Sequence, residues 1–315
     1  MRIVIALGGN ALLERGEKPD AAIQRRHVRR AAQFLAQVAA EHQLIVCHGN
    51  GPQVGLLARE SETDPALSQP YPLDVLGAQT QGMIGYWLVQ ELANAGVTKP
   101  VVALVTQTVI DGDDPAFAEP TKFIGPGYSQ ELAEEATSRY GWTMALDGNR
   151  WRQVVPSPEP LRIVEQQTIR ALVERDVVVV GGGGGGAPVT EDRIGRLTGV
   201  EAVVDKDMTA ALLALALGAD RLLVLTDVPA IIRGYGTPQA EPIRAIDADT
   251  LEGLAFPDGS MGPKVDSCVW FARSSGHPAA VGALTDAAEV LAGRAGTTIT
   301  PARQEQAVDH SGATP

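Results

Sequence analysis

Six short runs of the chain are apolar almost without interruption and end in turn-forming residues: IVIALGGN (3 to 10), LIVCHGNGP (44 to 52), VVALVTQT (101 to 108), VVVVGGGG (177 to 184), LLVLTDVP (222 to 229) and AAVGAL (279 to 284). A strand with one wet face alternates apolar and polar residues, whereas a strand buried on both faces does not. Runs of this kind, separated by helix-length stretches, specify a parallel sheet covered on both sides. Function in such a sheet gathers at the carboxyl ends of its strands. Residues 22 to 40 place Ile23, Ala31, Leu35 and Val38 on one helical stripe. Arg25, Arg26, Arg29 and Arg30 crowd the other side and read as a solvated face. Residues 73 to 95 form a long helix stopped by Gly96, and MTAALLALAL (208 to 217) a nearly all-apolar, deeply buried one stopped by Gly218.

One region breaks the alternation. From about Asp111 to Pro160, prolines and glycines recur at close spacing around a short Ala/Glu-rich helical piece. This reads as an insertion projecting from the functional edge of the sheet, a lid or small subdomain. Residues 301 to 315 read as a disordered tail.

The 315 residues are 44% hydrophobic, enough for one large α/β domain or two smaller ones. Cys47 and Cys268 are too few for a disulfide framework, and each sits in an apolar run that suits a buried free thiol. The first apolar run is too short for a signal peptide or a membrane span, so a cytoplasmic protein is expected. A formal charge of −12 argues against nucleic-acid and acidic-membrane partners. Of the 26 cationic residues only five are lysines, Lys18, Lys99, Lys122, Lys206 and Lys264, and the other 21 are arginines. Lysine therefore marks places where a compact, movable ammonium is wanted.

Gly181 to Gly186 form an unbroken glycine run. Glycines lose much backbone entropy on folding and gain no packing, so something must approach this backbone more closely than a Cβ allows. The run is not a Walker loop, because Ala187-Pro188-Val189 follows it in place of Lys-Ser/Thr. It matches the dinucleotide fingerprint literally, with Asp205 at a suitable interval, but Pro188, Gly195 and Gly199 interrupt the helix such a motif must open. The better reading is a strand end whose bare amides cradle an oxyanion. Gly8-Gly9-Asn10 and Gly49-Asn50-Gly51-Pro52 repeat the theme, with Pro52 suited to the first turn of a helix. Three such turns at strand ends make polyphosphate binding the best explanation.

The lysines fit that reading. Lys206 lies between Asp205 and Asp207 at the mouth of the buried helix, Lys264 follows Pro263 at another helix start, and Lys122 comes from the insertion. A cation at a helix N-terminus opposes the macrodipole, and an anionic ligand reverses that sign. The bland alternative for each is a lysine snorkelling to solvent. His27, His42, His48, His277 and His310 form no spaced cluster, no protein-held metal site is expected, and no G-x-S-x-G elbow exists. His48 is expected to make a structural hydrogen bond. Glycine amides and lysines without an evident base suit phosphoryl transfer to an acceptor that is already an anion.

The strings ALGGNAL, HGNGPQVGLL, PTKFIGPGY, VVPSP, the glycines before Pro188-Val189, GVEAVVDKD, LTDV and GSMGPK occur in this order. Over roughly residues 1 to 295 the chain resembles the carbamate kinases of the amino acid kinase superfamily. That resemblance implies an open three-layer αβα sandwich, a mainly parallel sheet and a small protruding subdomain, in one domain over residues 1 to 300 with 111 to 160 as lid. It implies a homodimer transferring phosphoryl reversibly between ATP and carbamate, giving ADP and carbamoyl phosphate. Mg²⁺ would be bound mainly through the nucleotide phosphates. Carried across position by position, Lys122 would reach the acceptor and the transferred phosphoryl. Lys206 and Lys264 would stabilise its charge, and Asp207 would orient them. Gly8, Gly9, Asn10, Gly49, Asn50 and Gly51, with Gly183 and Gly184, would hold phosphoryl and carbamate oxygens. Thr226, Asp227, Val228, Tyr235, Met261 and Gly262 would border the nucleotide. The chain departs from the family pattern in two extra glycines and Ala187, in Thr237 where lysine is common, and in Gly127 where an aromatic is usual. The alternatives are a kinase for another small carboxylate, a nucleotide-sensing subunit without turnover, and, weakest, a dinucleotide-dependent oxidoreductase.

Overall fold

Each of the six apolar runs contributes a strand to one eight-stranded sheet. The computed structural model describes residues 1–315 apart from 10, 11, 15, 255, 257–260 and 302–315, so the expected tail lies outside the described residues. From edge to edge the strands are Ala245–Asp247, Thr297–Thr300, Ala279–Ala283, Arg221–Thr226, Arg2–Leu7, Gln43–His48, Val178–Val180 and Val101–Ala103. All neighbours pair in parallel except Ala279–Ala283 with Thr297–Thr300. The 101 to 108 run leaves this sheet after Ala103. Gln107–Ile110 instead joins a second sheet with Ala187–Glu191, Leu197–Gly199 and Pro160–Ile163.

Uninterrupted apolar strands imply two buried faces, and two cores are present. Val4, Ala6, Ile45, Cys47, Val179, Leu222 and Val224 face one. Ile3, Ile5, Leu7, Leu44, Val46, Val178, Leu223 and Leu225 face the other. Successive residues of a strand point to opposite sides, so the period of two survives although both sides are apolar.

Helices α1 (Ala21–Glu41), α2 (Gly51–Thr63) and α3 (Leu73–Asn94) precede the insertion, and α4 (Gln130–Tyr140) lies within it. After it come α5 (Gln166–Val173), α6 (Lys206–Leu217), α7 (Ala248–Glu252), α8 (Gly262–Ser275) and α9 (Ala287–Leu291). Residues of α5 to α8 build the first core, and residues of α1, α3 and α9 the second. The result is helix, sheet, helix in three layers. The structure puts helix starts near the expected positions, and Gly96 (φ 90°) and Gly218 (φ 64°) end their helices in the left-handed region, where a side chain is strained.

The arginine face of α1 is largely solvated as expected, with Arg26, Arg29 and Arg30 exposed, and two of its members also hold a partner. Arg29 Nε reaches Glu91 of α3 at 3.1 Å, and Arg25 lies 3.7 Å from the same carboxylate. Glu91 is 1% exposed, and a buried carboxylate requires such partners. Its pKa is held below the ordinary value by the Arg29 hydrogen bond, against the effect of burial.

A small antiparallel sheet of Lys122–Tyr128, Arg150–Val155 and Met144–Asp147, joined by α4, forms a separate subdomain. It rests on α2, where a Cβ added to Gly55 would stand 3.0 Å from the Gly125 Cα, so backbone meets backbone. Tyr128 Oη donates to Glu62 Oε2 at 3.0 Å.

Candidate active site at the carboxyl edge of the sheet

The strand Arg2–Leu7 runs into Gly8-Gly9, Gln43–His48 into Gly49-Asn50-Gly51, Val178–Val180 into the glycine run, and Arg221–Thr226 into Asp227. Parallel neighbours end on the same side, so these turns converge on one edge. A cavity of about 320 Å³ opens there. Of the residues singled out in the sequence, Gly9, Gly49, Asn50, Gly51, Lys122, Gly184, Lys206, Asp207 and Lys264 line it. Thus three of the chain's five lysines meet in one place. Lys99, by contrast, binds the His42 carbonyl and Asp176 at the amino end of the strands.

Five charged groups carry the electrostatics, Lys122, Lys206, Lys264, Asp205 and Asp207. Lys206 Nζ donates to Asp207 Oδ1 at 2.6 Å, and Lys264 Nζ donates to Asp207 Oδ2 at 3.0 Å. One carboxylate is therefore shared by two ammonium groups. Asp207 is 2% exposed, in the first turn of α6, and Lys264 is 8% exposed, in the first turn of α8. Burial works against the Lys206 ammonium, but the Asp207 and Asp205 carboxylates outweigh it and its pKa lies above the ordinary lysine value. Burial likewise opposes the Asp207 carboxylate, yet Lys206 and Lys264 hold its pKa below the usual range. The cluster of two ammoniums and one carboxylate has a net positive charge in a nearly dry place. Lys122 Nζ, from the subdomain, reaches Asp205 Oδ2 at 3.1 Å.

The glycine run owes its composition first to the chain itself. Gly182, Gly184, Gly185 and Gly186 have φ between 62° and 90°. A Cβ would strike the His48 ring at Gly183, the Asn50 amide at Gly184, the Val204 carbonyl at Gly185 and Thr108 Oγ1 at Gly186. Several amides are already committed: Gly181 N–H donates to the Val46 carbonyl, Gly182 N–H to Thr106 Oγ1, Gly185 N–H to the Gly182 carbonyl and Gly186 N–H to the Gly183 carbonyl. The close approach inferred from the sequence is real, but the partners include the chain's own side chains and carbonyls. Gly184 and Gly186 face the cavity, whereas Gly183 is buried beneath it.

Elsewhere the residues divide. Gly8 lies behind the cavity wall, its N–H donating to the Leu225 carbonyl at 2.8 Å. Asn10 lies outside the described residues. Thr226, Asp227, Val228, Tyr235, Met261 and Gly262 do not line the cavity. Thr226 Oγ1 donates to Asp227 Oδ1 at 2.9 Å, and Met261 and Gly262 lead straight into Lys264 at the start of α8. Tyr235 is 72% exposed, next to the small antiparallel pair Ile232–Arg233 and Glu241–Pro242. Pro52 occupies the first turn of α2 as expected, behind Asn50 at the N-cap position. His48 Nδ1 pairs with the Gly49 carbonyl at 2.9 Å, and burial pulls its pKa down to about 4, a neutral structural ring. Burial pushes the Cys47 thiol up to about 12, and Cys268 is also buried and free.

The departures other than Ala187 have structural explanations. A Cβ at Gly182 would lie 3.1 Å from Cys47 Sγ, so the longer glycine run packs on that thiol. Gly127 faces Arg150, whose guanidinium donates to the Gly127 carbonyl at 2.8 Å, and it does not border the cavity. Thr237 closes a turn, its hydroxyl donating to the Gly234 carbonyl at 2.7 Å.

Arg152 was not singled out in the sequence. It lines the cavity from the subdomain, its guanidinium bonded to the Gly125 carbonyl and to Asp147 at 2.8 Å and stacked over Phe123. Its signal is the spacing RWR (150 to 152) on a strand two residues before the VVPSP string, lost among 21 arginines.

Among the described residues no group of three or more His, Cys, Asp or Glu side chains is arranged to hold a metal ion. No helix among them is long and apolar enough to cross a membrane.

The model of the amino acid kinase family matches residues 1–283. The carbamate kinase of Rhizobium meliloti is 47% identical over 303 residues, covering 95% of this chain and 93% of its own. The carbamate kinase of Escherichia coli K12 is 47% identical over 297 residues, covering 94% and 98%. Among solved structures, carbamate kinase from Giardia lamblia bound to AMP-PNP superimposes with a TM-score of 0.88 at 36% identity, covering 95% of this chain and 98% of that one. On its sequence, its three-layer fold and these relatives together, the chain belongs to the amino acid kinase family, among the carbamate kinases.

Proposed function

We propose that the chain transfers a phosphoryl group reversibly between ATP and carbamate, giving ADP and carbamoyl phosphate. The observation that carries this reading is the meeting of Lys206, Lys264 and Lys122 in one cavity, the first two sharing Asp207. A carbamate oxygen attacks the γ-phosphorus of ATP as the bond from that phosphorus to the bridging oxygen of ADP breaks. No proton moves, because the attacking oxygen is already charged. This suits a cavity whose carboxylates among the described residues, Asp205 and Asp207, are engaged by ammonium groups and are poor candidates for a base. Catalysis then consists of positioning and charge neutralisation. Lys206 and Lys264 approach the equatorial oxygens of the moving phosphoryl, and Asp207 holds the two ammonium groups in place. Lys122 and Arg152 address the acceptor from the subdomain.

Gly9, Gly49 and Gly51 turn backbone toward the phosphoryl group, and the α2 N-terminus at Gly51 adds its positive end. Gly8 sets the Gly9 turn, and Gly184, above Gly183, closes the floor. Asn10 belongs to the same set by its place in the motif. Thr226, Asp227, Val228, Tyr235, Met261 and Gly262 border the nucleotide outside the cavity. Since the described cavity carboxylates already bind lysines, Mg²⁺ would be held mainly through the nucleotide phosphates, where it would supply charge neutralisation.

We further propose that residues 1 to 300 act as one domain with 111 to 160 as its lid, and that the chain pairs as a homodimer, works in the cytoplasm and runs toward ATP. Mixing ADP and Mg²⁺ with carbamoyl phosphate or, separately, acetyl phosphate tests the acceptor. Coupled ATP formation is expected to be at least about 10²-fold faster with carbamoyl phosphate. Equal rates, or turnover of neither, would overturn the assignment.

A further inference from the structure

Lys122 differs from the other two lysines in how it is held. Its side chain is 43% exposed, against 13% for Lys206 and 10% for Lys264, and it comes from the subdomain and not from the sheet edge. A long, half-exposed side chain on a separate unit has many positions open to it. Its strand is fixed beyond it, in the middle by the Gly55–Gly125 contact and at the far end by the Tyr128–Glu62 hydrogen bond. At the near end the contact is Asp205.

Asp205 makes two kinds of bond at once. Oδ1 accepts the N–H groups of Asp207 at 2.8 Å and Met208 at 3.3 Å, capping α6. Oδ2 accepts Lys122 Nζ at 3.1 Å. Capping alone explains only the first oxygen, and Asn or Ser caps a helix as well as Asp. In a cavity that must receive anions, a carboxylate is an unfavourable choice unless its charge has another use. The cap bonds fix Oδ2 relative to the turn that carries Lys206 and Asp207, so whatever Oδ2 holds is registered to them. An ammonium has three N–H donors, and Asp205 occupies one, leaving two for a ligand.

We propose that Asp205 is a positioning residue, capping α6 with one oxygen and with the other holding Lys122 in register with the Lys206–Asp207–Lys264 cluster. The inference rests on the reading of Lys122 given under the proposed function. It separates two properties one residue combines: the stability of α6, which needs an acceptor, and the placement of Lys122, which needs a charge.

The test compares the full-length wild type with Asp205→Asn, Asp205→Ser, Lys122→Met and the Asp205→Asn/Lys122→Met double variant. Single-turnover ATP formation from saturating ADP, Mg²⁺ and carbamoyl phosphate is read beside ADP affinity and melting temperature. Both capping variants are expected to melt within about 2 °C of wild type. They are expected to bind ADP normally and to transfer about tenfold more slowly, the scale of a misplaced group. Lys122→Met is expected to be slower by about 10²-fold. The double variant is expected to be no slower than Lys122→Met. Wild-type transfer in both capping variants overturns the proposal, as does a further tenfold loss in the double variant, which would mean Asp205 acts on something else. Wild-type transfer in Lys122→Met overturns the reading of Lys122 itself, and this inference with it. A slow Lys122→Met beside fast capping variants overturns the role of Asp205 alone.

Discussion

Replacing Asp207 by Asn removes the one carboxylate that two buried ammonium groups share. At an effective dielectric near 20, attractions over the observed 2.6 Å and 3.0 Å amount to about 6 kcal/mol each. Desolvation of the buried charges cancels much of this, and deleting one member of a buried ion cluster leaves a net loss of about 3 to 5 kcal/mol. The pH dependence sharpens the prediction. In the wild type the Lys206 pKa is raised above 10.5, so its contribution to stability is complete below that value and is lost as pH climbs through the folded pKa. In the variant, burial and the neighbouring ammonium act on Lys206 with only Asp205 left to oppose them, and its pKa is expected to fall below its unfolded value. Stability should then rise with pH across the alkaline range up to about 10.5, where the wild-type contribution of Lys206 is constant. Urea unfolding followed by tryptophan fluorescence, between about pH 7 and about pH 9.5, measures both. A loss under about 1 kcal/mol at neutral pH, or a stability that falls with pH in the variant, would refute the shared-carboxylate argument.

Further perturbations reach other parts of the structure. Gly185→Ala places a Cβ against the Val204 carbonyl at a φ of 90°, and urea unfolding should show a loss of roughly 2 to 4 kcal/mol; a neutral result would contradict the packing account of the glycine run. His48, neutral with a pKa near 4 against an unfolded 6.5, contributes stability that is complete above 6.5 and declines as pH falls toward 4. About 3 kcal/mol of the acid-side loss is therefore expected to vanish when His48→Gln is compared with wild type, and parallel pH profiles would rule this out.

Much of the fold is legible in the sequence because the central strands are buried on both faces. No polar alternation interrupts their apolar runs, and each run ends at the edge that carries the site. The strands Ala245–Asp247, at the sheet edge, and Thr297–Thr300, its neighbour, escape notice for the opposite reason, being short segments that carry Asp and Thr. The lysines are legible because arginine supplies nearly all other positive charge. Arg152 is hidden by the same fact, since one arginine among 21 carries no mark. The glycine run is half legible: a close approach is implied, but its identity depends on His48, Asn50, Thr108 and Val204, which only the folded chain brings to it. The solvated arginine face of α1 is legible, but its link to Glu91 is not, because that carboxylate lies on another helix, 62 residues from Arg29. The second bond of Asp205 is likewise invisible, since Lys122 is 83 residues away.

The central claim is that the Lys206–Asp207–Lys264 cluster neutralises the phosphoryl group in transit. Its most direct test is the single-turnover rate of ATP formation from ADP, Mg²⁺ and carbamoyl phosphate in Lys264→Met against wild type, with ADP affinity measured by calorimetry on the same samples. The account predicts a rate lower by about 10² to 10³ with ADP affinity changed by no more than a few-fold, because the lost interaction belongs to the transition state. A folded variant that binds ADP and transfers phosphoryl at the wild-type rate would contradict it.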